Sequence, residues 1–204
     1  VSVDYTPAAD FNGTEVITYT VSDGILTDET GILKVTVTPV NDAPTITSTA
    51  VTTATEDIAY TYTITTEDVD GDIVTVSATG LPSWLTLSGN TLSGTPTEGD
   101  TGSEITITAT DDGDGALTAT QIFTIVVTPV NDAPVAVADT ATVLEDAEAT
   151  SIDVLANDTD EEGDPLTLFS VTTSGTGTVT VNGTLVEYTP AVDFNGTEEV
   201  SYTV

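Results

Sequence analysis

The 204-residue sequence contains no cysteine, no histidine and no methionine. With neither thiol nor imidazole, cysteine nucleophiles, disulfide staples, zinc and haem centres and histidine acid–base catalysis all drop out. The missing disulfides do not decide the compartment, because a bound metal can staple a small extracellular module instead. Basic side chains are nearly absent too: Lys34 stands alone against 34 acids, for a net charge of −33. Such a surface repels nucleic acid and anionic lipid, so neither is expected as a partner. It also strains a folded chain through self-repulsion, which a divalent cation would relieve. No stretch approaches the roughly 18 consecutive apolar residues of a membrane-spanning helix, so direct membrane insertion is not expected, and no charged-then-apolar leader opens the chain. The sequence is expected to be an internal piece of something longer, with any signal or anchor outside it.

What is present is threonine and valine in alternation, punctuated by glycine and proline, a composition for strands and turns. The expected fold class is all-β. The octapeptide Val37-Thr38-Pro39-Val40-Asn41-Asp42-Ala43-Pro44 recurs 90 residues on as Val127-Thr128-Pro129-Val130-Asn131-Asp132-Ala133-Pro134. Each copy closes an alternating strand, and its prolines hold the backbone extended, so a domain ends there. A second repeat runs from Val3 to Val21 and again, 183 residues later, from Val186 to Val204. Two module types therefore alternate in a one-dimensional array. Residues 1–40 are the C-terminal part of one module, 41–130 a complete module, and 131–204 the N-terminal part of another of the first type. Residues 1–38 and 133–204 are then complementary halves of one fold, which invites domain swapping between copies. Alternation places strands at 2–6, 15–22 and 31–37, and seven more at 45–53, 59–65, 73–78, 85–87, 91–93, 105–110 and 121–128.

The octapeptide resembles the Asp-x-Asn-Asp-Asn-x-Pro linker of cadherins, and more closely the Asn-Asp-Ala-Pro junctions of bacterial cadherin-like tandem repeats such as those of RTX-type adhesins. The run Gly80-Leu81-Pro82-Ser83-Trp84-Leu85-Thr86-Leu87-Ser88, followed by Leu92-Ser93-Gly94-Thr95-Pro96, resembles the Leu-Pro-x-Trp-Leu and Leu-x-Gly-Thr-Pro signature of bacterial Ig-like and dystroglycan-type cadherin-like domains. Asp153 to Asp160 with Gly163-Asp164-Pro165-Leu166 resembles the opening of the other bacterial cadherin-like repeat. The resemblance implies tandem Ig-like or cadherin-like β-sandwich modules of about seven antiparallel strands. Tyr19 sits where such sandwiches keep a tyrosine corner.

Cadherin-like domains take calcium ligands from a Glu near the first strand, the linker, an Asp-x-Asp after the second strand and an Asp after the penultimate strand. The resemblance therefore implies two calcium sites. Asn41, Asp42, Asp68, Asp70 and Asp111 belong to the first junction; Glu56, Asn131, Asp132, Asp158 and Asp160 belong to the second. Glu145 and Asp23 hold the matching places in the flanking modules. An irregular cage of carboxylates and carbonyls suits calcium's roughly six to eight oxygen ligands better than magnesium's octahedron. Each Asp-rich loop by itself also fits a solvated turn; the joint placement beside the linkers favours ligands. An EF-hand does not fit, because Gly71 comes too early and Thr79 stands where the bidentate Glu belongs.

Trp84, assisted by Tyr5, Tyr60, Tyr62 and Tyr188, could stack on a sugar, but a lone Trp between Leu81 and Leu85 is more often core. The Asn-Gly-Thr sequences at 12–14, 182–184 and 195–197, and Asn157-Asp158-Thr159, match the glycosylation pattern but read equally as turns. No pair of acids is singled out for catalysis, so an enzyme is not expected. The expected role is a calcium-dependent extracellular adhesion and spacer repeat of a large bacterial surface or secreted protein. Its partners would be calcium, neighbouring modules of the same chain, and a cell-surface protein or glycan. The alternative is a carbohydrate-binding accessory module of a secreted polysaccharide-degrading enzyme.

Overall fold

The computed structural model describes residues 2–204, apart from the side chains of residues 27–29. It is all-β, and no helix occurs among the described residues. The chain divides into two compact units, Val1–Thr128 and Pro129–Val204.

Unit 1 opens with a long hairpin. Strand β1 (Gly13–Ser22) pairs antiparallel with β2 (Thr27–Val37), in a register that sets Ile17 against Leu33 and Tyr19 against Gly31. The turn is an Asx turn. Asp23 Oδ1 accepts the Ile25 and Leu26 amides, each at 2.9 Å, and those bonds, Leu26's foremost, hold its carboxyl below the usual range. Alternation puts Ile17, Tyr19, Val21, Leu33 and Val35 on one face. The Tyr19 ring lies over Gly31, where any Cβ would meet ring carbons. Residues 2–6, expected as a strand, are not one here. Their repeat at 185–189 is a strand only because other strands flank it on both sides, and sheet pairing, unlike a helix, needs distant partners.

The rest of unit 1 is a sandwich of ten short strands in place of the seven expected: β3 (Thr45–Ile46), β4 (Thr53–Thr55), β5 (Tyr60–Thr63), β6 (Thr66–Glu67), β7 (Thr75–Thr79), β8 (Leu85–Ser88), β9 (Thr91–Gly94), β10 (Glu104–Thr110), β11 (Thr118–Thr124) and β12 (Val126–Thr128). The expected 45–53 strand divides because it changes sheets. Its start pairs antiparallel with β6, while β4 pairs in parallel with β12, the one parallel pair among the described strands. Sheets β11-β10-β7 and β5-β9-β8 supply most of the core. Alternation turns Ile105 and Ile107 of β10, Tyr60 and Tyr62 of β5, Leu85 and Leu92 inward, together with Ile64 and Ile125. Each such side chain contributes about 1.5–3 kcal/mol on burial. Gly94 lets β9 approach the Trp84 carbonyl, which a Cβ would strike.

Unit 2 contains β13 (Thr150–Ile152), β14 (Ser170–Thr173), β15 (Thr178–Asn182), β16 (Leu185–Thr189) and β17 (Val200–Thr203). They form sheets β13-β16-β15 and β14-β17 over a small core of Val154, Leu168 and Val186, to which Val200 and Tyr202 add. Glu198 fixes the loop after β14. Its carboxylate accepts the Thr176 amide at 2.6 Å, the Gly177 amide at 3.1 Å and the Tyr188 hydroxyl at 2.9 Å.

Candidate metal centre

Three segments converge at the end of the sandwich where β3 begins and β6 and β10 end. The chain enters through Asn41 and Asp42, the loop after β6 carries Asp68, Asp70 and Asp72, and the loop after β10 carries Asp111 and Asp112. Asp68 Oδ1 accepts the amides of Asp70 (2.9 Å) and Asp72 (3.3 Å), which curls the loop around its own carboxylate. Gly71 makes the bend at φ 81°. Asp70 Oδ2 accepts the Asp42 amide at 2.8 Å, tying loop to linker. Asp111 Oδ1 accepts three donors: Asn41 Nδ2 at 3.2 Å, and the Gly113 and Leu117 amides at 3.1 Å each.

The result is a concentration of negative charge without a counter-charge. Carboxylate oxygens of Asp68, Asp70 and Asp72 lie within 4.8 Å of one another. Asp111 is 3% exposed, and its Oδ2, like Asp68 Oδ2, is buried without a hydrogen-bond partner. Burial raises the Asp72 carboxyl above its usual range, and the charges of Asp68, Asp112, Asp70 and Asp111 raise it further. Gly113 packs so tightly that a Cβ there would meet Asn41 Oδ1 and Asp72 Oδ2. Asn41, Asp42, Asp68, Asp70 and Asp111, assigned to one site from sequence, are thus brought together, and Asp72 and Asp112 join them. The spacing Asp68-x-Asp70-Gly71-Asp72 carried the signal for Asp72. Glu56 lies at the opposite end of the sandwich, 2% exposed, its amide donating to the Thr128 carbonyl at 3.0 Å.

In unit 2 the loop register differs from the one the Asp-x-Asp pattern suggests. The backbone bridge Val135↔Thr159 repeats the pair Thr45↔Glu67 of unit 1. That makes Asp160 the counterpart of Asp68, and Glu162 the counterpart of Asp70. Three further features agree. Asp160 Oδ1 accepts the Asp164 amide at 2.9 Å, as Asp68 does that of Asp72. Glu162 Oε1 accepts the Asp132 amide at 2.7 Å, as Asp70 does that of Asp42. Gly163 bends at φ 75°. Asn131 turns its Nδ2 to the Asp132 carbonyl at 2.9 Å.

Asp158 is placed elsewhere. It is 9% exposed, and its Oδ1 accepts the Val137 amide at 2.7 Å and the Tyr202 hydroxyl at 3.1 Å. The Tyr202 hydroxyl also stands 3.1 Å from the Val137 and Val154 carbonyls and 3.3 Å from Asp139 Oδ2. Burial, then Asp158 and Asp139, push it up to about 12. Glu162 was missed because an Asp-x-Asp pattern stops at Asp160; aligning on Gly-Asp at 71–72 and 163–164 would have found it.

Trp84 is half-buried, packs against the core and meets the Tyr60 ring edge-on at 5.8 Å. Its indole nitrogen is buried without a partner.

Short, mostly antiparallel strands in small sheets packed over a common core, with acidic loops at the ends, define an Ig-like or cadherin-like sandwich repeat. Residues 1–38 and 131–204, more than half of the chain, match the family model described as Bacterial Ig domain, and the chain belongs to that family. Residues 43–128 match a second model, described as "Putative Ig domain". No curated protein matches the chain. Among solved structures it is similar to human CDH23 EC21-23, at 19% identity and a TM-score of 0.57, over 89% of this chain and 65% of that one. It is also similar to protocadherin gamma B2 extracellular cadherin domains 1-5, at 21% identity and a TM-score of 0.50, over 93% and 44%. The chain spans less than two thirds of either, and the likeness concerns the fold. Domains of these kinds are typically non-enzymatic and extracellular or surface-exposed.

Proposed function

We propose that the chain is part of an adhesion and spacer array in a large secreted or surface-attached bacterial protein, with calcium bound at its module junctions. The modules would be 1–40, 41–130 and 131–204. Calcium would stiffen the array: ions that bind only the ordered junction add free energy to it, about 2.7 kcal/mol at a hundred times the dissociation constant.

The observation that carries this reading is Asp111. A carboxylate 3% exposed, with one oxygen unpartnered, faces further carboxylates and no cationic side chain. The sole cationic side chain of the sequence, Lys34, lies exposed on β2, opposite Val16. An uncompensated buried anion is costly, and a dication offsets the cost. The donors are all oxygen, which suits hard cations, and outnumber an octahedron's positions, which favours calcium over magnesium. Asn41, Asp68, Asp70, Asp72 and Asp111 would hold the first ion, with Asp42 and Asp112 beside them. Asn131, Asp132, Asp160 and Glu162 would hold the second. Asp158 is assigned instead to securing Tyr202, and Glu56 stays a proposed ligand on the resemblance alone.

Isothermal calorimetry on the whole chain tests this. Calcium should bind in millimolar excess magnesium, Glu162→Gln should weaken one binding event about tenfold or more, and Asp158→Asn should leave calcium affinity unchanged. Absence of calcium heat would refute the proposal. The sugar-binding alternative is disfavoured by Trp84, which packs on the core and against the Tyr60 ring with its indole nitrogen buried.

A further inference from the structure

The hairpin β1–β2 carries an apolar face that belongs to neither core cluster of the described residues. Tyr19 is 49% exposed, Val21 57% and Leu33 43%. What such a face covers can be read from its repeat. Residues 17–21, Ile-Thr-Tyr-Thr-Val, recur as Val200-Ser201-Tyr202-Thr203-Val204, and in unit 2 that segment is seated. β17 pairs with β14 (Val171↔Tyr202, Thr172↔Ser201), Val200 and Tyr202 pack on the Val154, Leu168 and Val186 core, and the Tyr202 hydroxyl reaches Asp158 and two backbone carbonyls. Tyr19 is the counterpart of Tyr202, and Glu15 that of Glu198. Tyr5 and Glu15 hold the places of Tyr188 and Glu198, and after burial it is Glu15 that raises the Tyr5 hydroxyl, as Glu198 does that of Tyr188.

We infer that the hairpin face is a docking surface for unit 2 of a second copy of this chain, in which β1 takes the place of β17 against β14. The exchange is balanced in its pairing. The four residue pairs of β14–β17 are replaced by four of the same kind, Ile17 to Thr20 against Thr173 to Ser170. β1 brings with it a second strand already paired over ten positions, which extends the sheet beyond β1. Tyr19 leaves water as Tyr202 enters it, and Leu33, on β2, has no counterpart on the displaced strand, so its burial is the net gain. A second copy fits better than a foreign partner because unit 2 already accepts these side chains in this register. Opposing the exchange is the charge of −33 on each chain, so association should strengthen with salt as the Debye length shrinks to roughly 3 Å near 1 M.

The chain has no cysteine, which permits a direct test. Thr18→Cys and Thr172→Cys chains, mixed in chelator and 0.5 M NaCl and oxidised, should form a disulfide-linked pair. Thr36→Cys, on β2, should not cross-link to Thr172→Cys. Light scattering of the unmodified chain should show at least twice the monomer mass at high concentration, lost in Leu33→Asp, whose substitution lies outside both cores. A concentration-independent monomer mass with no Thr18–Thr172 cross-link would overturn the inference, including the case in which the hairpin folds back on its own unit 2.

Discussion

Replacing Asp111 by asparagine separates the electrostatic account of the first cluster from a purely structural one. The substitution keeps the shape and lets Oδ1 go on accepting from Asn41, Gly113 and Leu117. It removes one of at least five neighbouring charges, each worth on the order of 1 kcal/mol of repulsion where water reaches. Against that relief, the new amide brings a donor to the position of the unpartnered Oδ2, at about 1–3 kcal/mol if it stays unpaired. The relief, which includes the desolvation of a buried anion, at least matches this cost, so in chelator the variant should melt no lower than the parent. With calcium at a hundred times the parent's dissociation constant, the parent gains about 2.7 kcal/mol, or roughly 10–20 °C for a domain of this size. If the variant binds about a hundredfold more weakly, it gains only about 0.4 kcal/mol, or roughly 2–3 °C. Trp84, the single tryptophan, packs on the core of this sandwich and reports its melting by fluorescence. Equal calcium-induced shifts in parent and variant would refute the role assigned to Asp111.

Two further outcomes are expected in unit 2. Burial alone would raise Glu198, but the Thr176 and Gly177 amides and the Tyr188 and Thr176 hydroxyls outweigh it, so its folded pKa lies below the ordinary 4.5. A depressed carboxyl contributes stability above its unfolded pKa and loses it as pH falls through the folded value; the hydrogen-exchange protection factors of residues 170–189 should therefore fall below about pH 4.5, and Glu198→Gln should flatten that dependence. Tyr202→Phe removes the one hydroxyl that Asp158, Val137 and Val154 share, and should destabilise unit 2 by about 1–3 kcal/mol in urea melts followed by circular dichroism, without altering calcium affinity.

How much of this was legible differs from element to element. The β1–β2 hairpin, the inward faces of β5 and β10 and the core position of Trp84 follow from alternation and local turn chemistry. The linker prolines and the loop Asp68-Val69-Asp70-Gly71-Asp72 were legible as a ligand-like cluster because all their carboxylates lie close in sequence or beside a conspicuous repeat. The unit 2 loop was not, since Asp158 and Asp160 satisfy the Asp-x-Asp pattern while Asp160 and Glu162 do not.

The sequence by itself determined the all-β class, the repeats and the excess of negative charge, because composition and period-two patterning act over a few residues. Only the tertiary structure decided that residues 2–6 stay unpaired while 185–189 form a strand, that β4 joins β12 in parallel, and that Glu162 rather than Asp158 faces the linker. Each of these is a question of which distant backbone supplies the partner: a strand's hydrogen bonds point outward, and no local pattern says where they end.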